Sequence, residues 1–551
     1  MYHKSIAFYF LSLLLLVNTA RAQNPQRNGE IEKVYHRHYP VFLGISSDGA
    51  KIISKSIIKN SFSLDLITLD GGKSLSINQD LSGQVLAKWS KDQKQIIYFI
   101  DPQGRQDYKL QLLNIASNTT THIPTTRITY PKIAWSMDSR YLAYLSPKNQ
   151  LVIIDLFDAN KIIYQSKESI LPRSSFAWSN ISNSIAFALS SRPDTILIYD
   201  PTLGTHREIR MPGKIEKIAW ANTSKKIYAI VTEGNKRKLL EASQGVVNEV
   251  NYHLYGEASE LFVIPNDLQI ALNISAGFKL KYNIISRDGS VLHQGEGSVV
   301  GSSQDGNRVF VARQLGSVFE VVSLDLIDRL QKTLYSSKKG AVSKFIHREF
   351  SIDVGGRSVP SLLWSSAQPS QKLLVKAHGG PHLNYNNQLR PEIEVFLNEG
   401  IDVLLVNYGG SSGYDVDFLS EERHAANDIA AVANYFSENH SYKKLFLWGD
   451  SYGSKLVIEA HSLLPNISGV IATSYAGGLV GSGKIPKNIL VFQGVNDFQC
   501  GPDCTSDELK DYWKVESSTE WLFPIAEEGH SFRRIHSWSM VLSQMIKFIN
   551  R

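Results

Sequence analysis

A serine, an acid and a histidine stand in the C-terminal part of this chain in an order that can support nucleophilic catalysis. The serine is Ser451, within Gly449-Asp-Ser451-Tyr-Gly453, with apolar Leu445 to Trp448 before it and a helical run, Lys455 to Leu464, after it. Strand, G-x-S-x-G and helix without a spacer make a nucleophile elbow, a turn so tight that glycines must flank the serine. The backbone N–H of Tyr452, at the helix start, would face a developing oxyanion. Further on, Gly494-Val-Asn-Asp497 and Glu527-Glu-Gly529-His530-Ser-Phe each follow a strand. His530 would take the Ser451 proton and return it to the leaving group, while Asp497 would fix the histidine tautomer and stabilise the imidazolium. Ala377-His378-Gly379-Gly380-Pro381 follows an earlier strand, and a backbone N–H of Gly379 or Gly380 is the expected second oxyanion donor. His378 itself reads as structural rather than as a second base.

Other residues compete for these roles. A second G-x-S-x-G, Gly409-Gly-Ser411-Ser-Gly413, also follows an apolar strand, but it leads into a loose Tyr-Asp-Val-Asp stretch and reads as a loop. Asp503, in the turn after Asp497, is the rival acid. Cys500 and Cys504 are the two cysteines of the chain, in Cys-Gly-Pro-Asp-Cys. They read either as a small disulfide or as two free thiols in a turn. Three intervening residues do not match a C-x-x-C redox motif, and no histidine cluster nearby suggests zinc. No metal or cofactor is implied.

The elements that must position these residues belong to two patterns. At 551 residues and 61.6 kDa the chain calls for two domains with large cores. Apolar content of 43% and charged content of 20% are those of a globular protein, and a net charge of +6 spread along the chain gives no case for nucleic acid. Residues 1–22 read as a signal peptide, with Lys4, an apolar core from Ile6 to Val17 and Ala20-Arg-Ala22 before the cut. That core is too short to span a bilayer as a mature helix. The mature chain is therefore expected to be exported, periplasmic or extracellular, with no membrane span.

From residue 40 to about 340, within a propeller domain expected over 23–340, one cue recurs: tryptophan or an apolar residue, a polar turn often holding Asp, then an alternating strand. It appears at Gly44–Asp48, Trp89–Asp92, Trp135–Asp138, Trp178 and Trp220, with weaker copies at Val263–Asp267 and Gly301–Asp305. Steps of roughly 40 to 45 residues match one four-stranded blade, so seven copies predict a seven-bladed all-β propeller. One blade cannot bury both its faces, and the tryptophans are expected to pack between neighbours. From 341 to 551 the pattern changes to a β-hairpin and then strands alternating with helices, which predicts a parallel sheet covered on both sides, an α/β-hydrolase domain. The helices expected there are Glu392–Asn398, Leu419–Ser437, Lys455–Leu464, Thr505–Trp513 and Ser537–Ile549.

His378-Gly-Gly-Pro381, Asn407-Tyr-x-Gly-Ser-x-Gly-Tyr414, Gly-x-Ser451-x-Gly, Gly-x-x-Asp497 and Glu-Gly-His530-Ser-Phe, in this order behind a propeller, resemble the prolyl oligopeptidase family, and most of all its acylaminoacyl-peptidase and dipeptidyl-peptidase-like branch. The resemblance implies a serine peptidase acting on short peptides, with a propeller that screens out folded proteins. Three features depart from it. Gly409 stands where the family usually has arginine, and Ser454 where it usually has a second glycine after the elbow. Ser451 and Asp497 are only 46 residues apart. The stretch Ser474–Asn488 is too glycine-rich for the helix that a parallel crossover normally carries, so the pocket wall is expected to be reduced and selectivity weak. Such a gap would be covered by the loop, by the propeller or by a second copy, giving a monomer or a homodimer. A serine esterase on the same triad, and a propeller binding protein with a vestigial hydrolase domain, are the alternatives to a peptidase.

Overall fold

The computed structural model describes residues 25–58, 61–69, 75–77, 86–101, 107–128, 132–171, 176–315, 318–337, 344–476, 488–497 and 522–551. Seven four-stranded antiparallel sheets occupy 41–77, 87–128, 133–165, 177–210, 214–249, 257–296 and 298–336. They form a seven-bladed propeller, each blade built from consecutive strands. The ring closes by side-chain packing, with Ile45 and Ile52 of the first blade against Phe310 and Val321 of the last.

The repeated sequence cue has a physical basis in the blades that carry Ser-x-Asp. In the turns after the innermost strands, Ser90 donates to Asp92 at 2.6 Å, Ser136 to Asp138 at 2.6 Å and Ser303 to Asp305 at 2.5 Å. The same serine oxygens accept the N–H that opens the next strand, as Ser136 does from Tyr141 at 2.8 Å. The tryptophans join neighbouring blades: the indole N–H of Trp178 donates to Ala134 O at 3.0 Å and that of Trp220 to Ala177 O at 2.9 Å.

The second domain is one eight-stranded sheet. Its strands are β1 (Ile346–Val354), β2 (Arg357–Ser365), β3 (Lys372–Ala377), β4 (Asp402–Val406), β5 (Lys444–Asp450), β6 (Gly469–Thr473), β7 (Ile489–Gly494) and β8 (Leu522–Ile525). Their spatial order is β1-β2-β4-β3-β5-β6-β7-β8, with the hairpin antiparallel and β3 to β8 parallel. This is an α/β-hydrolase sheet. Continuous apolar strands such as Val403–Val406 are buried on both faces, as a parallel sheet requires. One face packs on α2 (Pro391–Asn398) and α5 (Ile535–Asn550), the other on α3 (Ala425–Asn439) and α4 (Tyr452–His461).

Two expectations change in detail. The single helix expected over Leu419–Ser437 is broken into a short turn, Val416–Leu419, a 3-10 turn, Glu422–His424, and α3. Asp415 caps the first turn through Phe418 N at 2.7 Å, and the Ser420 hydroxyl closes it on Asp417 O at 2.7 Å, so the chain redirects before α3 begins. Residues 25–37, grouped with the propeller on sequence grounds, form helix α1 (Pro25–Arg37). Its apolar stripe of Ile31, Val34 and Tyr35 joins the core containing α2 and α5, and Arg37 and His38 both bond Glu394. The signal-peptide stretch, Asp503, Cys500, Cys504, the expected helix Thr505–Trp513 and the crossover residues 477–487 lie outside the described residues. Among the described residues no helix is long and apolar enough to cross a membrane.

Candidate active site

Ser451 sits between β5 and α4 with φ +53° and ψ −122°, a backbone region that a serine adopts only under constraint. The constraint comes from close packing. A Cβ on Gly453 would lie 2.4 Å from His378 O and 2.6 Å from Ala377 O, and one on Gly449 would lie 2.1 Å from Gly453 O. Both motif glycines are therefore required by contact with backbone. Ser451 N donates to Thr473 O of β6 at 2.9 Å, and Ser454, the departure from the expected glycine, donates its hydroxyl to Ser451 O.

The elbow is also braced from below. Lys376 on β3 is almost wholly buried and donates to Asp450 at 2.5 Å. Asp450 takes a second bond from Thr473, whose hydroxyl oxygen in turn accepts the Trp448 indole N–H at 3.0 Å. Burial pushes the Lys376 ammonium below its ordinary range, and the Asp450 carboxylate acts against that shift.

Strand ends bring the three candidate residues together. The Ser451 hydroxyl donates to His530 Nε2 at 2.7 Å, and His530 Nδ1 donates to Asp497 Oδ2 at 2.8 Å. The Asp497 side chain is 1% exposed and that of His530 9%, so solvent screens this pair little. Asp497 Oδ2 also accepts Gln493 Nε2 at 2.8 Å. Gln493, on β7, is held by accepting Tyr475 N at 2.9 Å. The loop carrying His530 is fixed by Glu528, which accepts Arg533 N at 2.9 Å and Arg534 N at 3.0 Å, while its carbonyl accepts Asn496 N at 2.8 Å. A serine hydroxyl hydrogen-bonded to an imidazole that is itself oriented by a buried carboxylate can lose its proton as it attacks a carbonyl.

The glycine loop lies beside the serine: a Cβ on Gly379 would be 3.1 Å from Ser451 Cβ. His378 is buried, with Nδ1 2.7 Å from Gly379 O and Nε2 2.8 Å from the Ser411 hydroxyl oxygen, and that hydroxyl donates to Tyr408 O at 2.6 Å. Tyr408 stacks on its ring and donates to His378 O at 2.7 Å. Burial pushes the His378 imidazole down to about 4, which keeps it neutral near pH 7. Holding Gly379 O turns the Gly380 N–H of the same planar peptide the opposite way. Ser411, the serine of the second G-x-S-x-G, is thus a buried support, 0% exposed, and is not presented to solvent.

Gly409 has no room for the arginine of the resembling motif, since its Cβ would meet Glu421 O at 2.5 Å. Its N–H donates to Asp428 at 2.8 Å, and Arg357 on β2 supplies that carboxylate with a guanidinium at 2.5 Å. Sequence reasoning missed Gln493, Lys376 and Arg533. Nothing in a buried strand such as Val491-Phe-Gln-Gly494 marks its glutamine as the partner of the acid four residues later. Arg533, three residues after His530, crosses to the propeller and pairs with Asp101, the two side chains being 4% and 1% exposed. No group of three metal-binding side chains occurs among the described residues.

No protein-family model matches the chain, and no curated protein matches it in sequence. Solved structures do match in fold. A prolyl endopeptidase superposes with a TM-score of 0.79 at 12% identity, over 98% of this chain and 95% of its own. An acylaminoacyl peptidase of Pyrococcus horikoshii matches with a TM-score of 0.68 at 13% identity, over 94% and 97% of the two chains. A puromycin-hydrolyzing peptidase of Mycobacterium tuberculosis matches with 0.73 at 16% identity, over 94% and 95%. This chain is thus similar, from end to end, to the propeller-plus-hydrolase fold of the prolyl oligopeptidase family.

Proposed function

We propose that this chain, which has the fold of the prolyl oligopeptidase family, is an exported serine peptidase that hydrolyses short peptides through an acyl-enzyme. Ser451 Oγ attacks the scissile carbonyl as His530 Nε2 takes its proton, and Asp497 stabilises the imidazolium so formed. The backbone N–H groups of Tyr452 and Gly380, with Gly379 beside them, receive the oxyanion. His530 then protonates the leaving amine, and water, activated by the same imidazole, releases the acyl product from Ser451. The propeller limits access to peptides of up to a few tens of residues.

The observation that carries this reading is the continuous line Ser451–His530–Asp497, with bonds of 2.7 and 2.8 Å. The solved structures of like fold are of proteins named as peptidases, which favours peptide over other acyl substrates. The test is a panel of chromogenic acyl-amino-acid, dipeptide and simple ester substrates, with folded albumin as a control. Cleavage of the peptides while albumin survives supports the reading. Turnover of esters alone would assign the same machinery to an esterase.

A further inference from the structure

Near the end of β7 a glutamine carries its polar group into the interior. Gln493 is 1% exposed and lies on the same face of the strand as Ile489 and Val491, which pack into the core beside α3 and α4. Burying a primary amide there costs stability unless both its ends are bonded. Both are. Oε1 accepts Tyr475 N–H at 2.9 Å, and Nε2 donates to Asp497 Oδ2 at 2.8 Å. A backbone N–H can only donate and an ionised carboxylate can only accept, so a single orientation of the amide serves both partners.

The backbone on either side presents these two partners. β6 ends at Ser474, whose φ is +50° and whose N–H donates to Phe492 O at 2.9 Å. The next N–H, that of Tyr475, leaves the ladder and meets the Gln493 side chain instead. Past Gly494 the chain turns back, with Asp497 N donating to Gly494 O at 3.2 Å, which returns the acid to the glutamine four residues before it. A Cβ on Gly494 would lie 2.2 Å from Gly529 O, so this turn is pressed against the loop that carries His530. Asp497 Oδ2 then receives Gln493 Nε2 and His530 Nδ1 together, both at 2.8 Å. Satisfying Tyr475 N–H requires one acceptor. It does not require the other end of the same group to be aimed at the acid.

We propose that Gln493 is a positioning residue, which clamps the Asp497 carboxylate to the backbone at Tyr475 so that Oδ2 faces the His530 Nδ1–H. This rests on the Ser451–His530–Asp497 line of the proposed function and adds the element that holds its acid. The terminal torsion of an aspartate is soft, and two donors converging on one oxygen restrict it. A rotation that withdraws Oδ2 frees the His530 ring to turn away from Ser451, and a misplacement of about 1 Å at reacting groups costs about a hundredfold in rate. The clamp also ties the acid to the start of the crossover that follows β6.

The experiment follows the second-order rate of fluorophosphonate labelling of the full chain, which requires no knowledge of the substrate. Gln493→Met keeps the length of the side chain and removes its donor. The folded variant should label at least about tenfold more slowly than wild type, as expected when a bond to a charged group is lost. In an Asp497→Asn background the same substitution should change the rate by less than about twofold, because no carboxylate remains to be held. A purely structural role would cost as much in both backgrounds. The NMR resonance of the proton between His530 and Asp497 should also shift in Gln493→Met. Gln493→Asn, polar but a methylene too short to join Tyr475 N–H to Asp497, should show the same loss and decides the matter if Gln493→Met does not fold. A wild-type rate in either folded variant, or an equal loss in the two backgrounds, would overturn the inference. A wild-type chain that does not label would remove the catalytic line and this role with it, whereas a labelled wild type beside an unaffected Gln493→Met would remove this role alone.

Discussion

Replacing Gly453 by alanine tests how the elbow couples to the oxyanion loop. The new methyl group would lie 2.4 Å from His378 O and 3.0 Å from Ala377 C, where ordinary contact begins at 3.4 Å. These are backbone atoms at the end of β3, in the centre of the sheet, so no side chain can swing aside. To open the gap, α4 and the His378–Gly380 loop must separate by about 1 Å, a displacement that can cost about a hundredfold in rate when it falls on reacting groups. The two sides that part carry the proposed oxyanion donors, Tyr452 N–H and Gly380 N–H. Loss of one such donor corresponds to about 10²–10³ in turnover, or about 2.7–4 kcal/mol. Overpacking adds roughly 1–3 kcal/mol of destabilisation, readable as a lower melting temperature. The assay is kcat and KM for a short chromogenic peptide beside a thermal melt. A folded Gly453→Ala protein with turnover within threefold of wild type would refute this account of the elbow.

Three further perturbations have defined outcomes. Asp101→Asn leaves the Arg533 guanidinium buried without its counter-charge and should destabilise by about 3–5 kcal/mol, whereas Asp101→Leu with Arg533→Met should recover most of the loss; a pair of thermal melts decides it. Burial raises the Asp402 carboxyl to about 6, opposed by the Tyr442 hydroxyl at 2.9 Å. In the unfolded chain that carboxyl ionises near its usual value, so the fold is penalised progressively from about pH 4 and fully above about pH 6. Asp402→Asn should therefore raise stability at pH 8, by on the order of 3 kcal/mol, and give no gain near pH 4. Ser411→Ala should leave the protein reactive to a fluorophosphonate while slowing turnover by loosening His378, and glutamine at 378 should not restore it.

Much of this arrangement is written locally in the chain. The blade turns are legible because Ser-x-Asp or tryptophan recurs at one spacing, and the Ser-x-Asp copies at Ser90, Ser136 and Ser303 satisfy the same hydrogen bonds. The parallel sheet is legible because strands such as Val403–Val406 are apolar throughout and are separated by helical periods. The order of Ser451, Asp497 and His530 is visible because each follows a strand, and strands of one parallel sheet end on one edge. What escapes sequence reasoning depends on how the folded backbone turns side chains toward one another. The role of Gln493 arises from a bond to the next loop, and that of Lys376 from a neighbouring strand 74 residues away. Helix α1 looks like a prelude to the propeller because it precedes the first blade, yet its apolar stripe is buried by helices more than 350 residues later. Burial against such partners leaves no local periodicity to read.

The central claim is that Ser451 is an activated nucleophile, and covalent labelling tests it most directly. Intact-mass analysis after incubation with a fluorophosphonate should show a single adduct, located at Ser451 by peptide mapping. Ser451→Ala should remain folded and carry no adduct, and His530→Ala should label far more slowly. An adduct at any other serine, or a folded wild-type chain that stays unmodified at high probe concentration, would contradict the account.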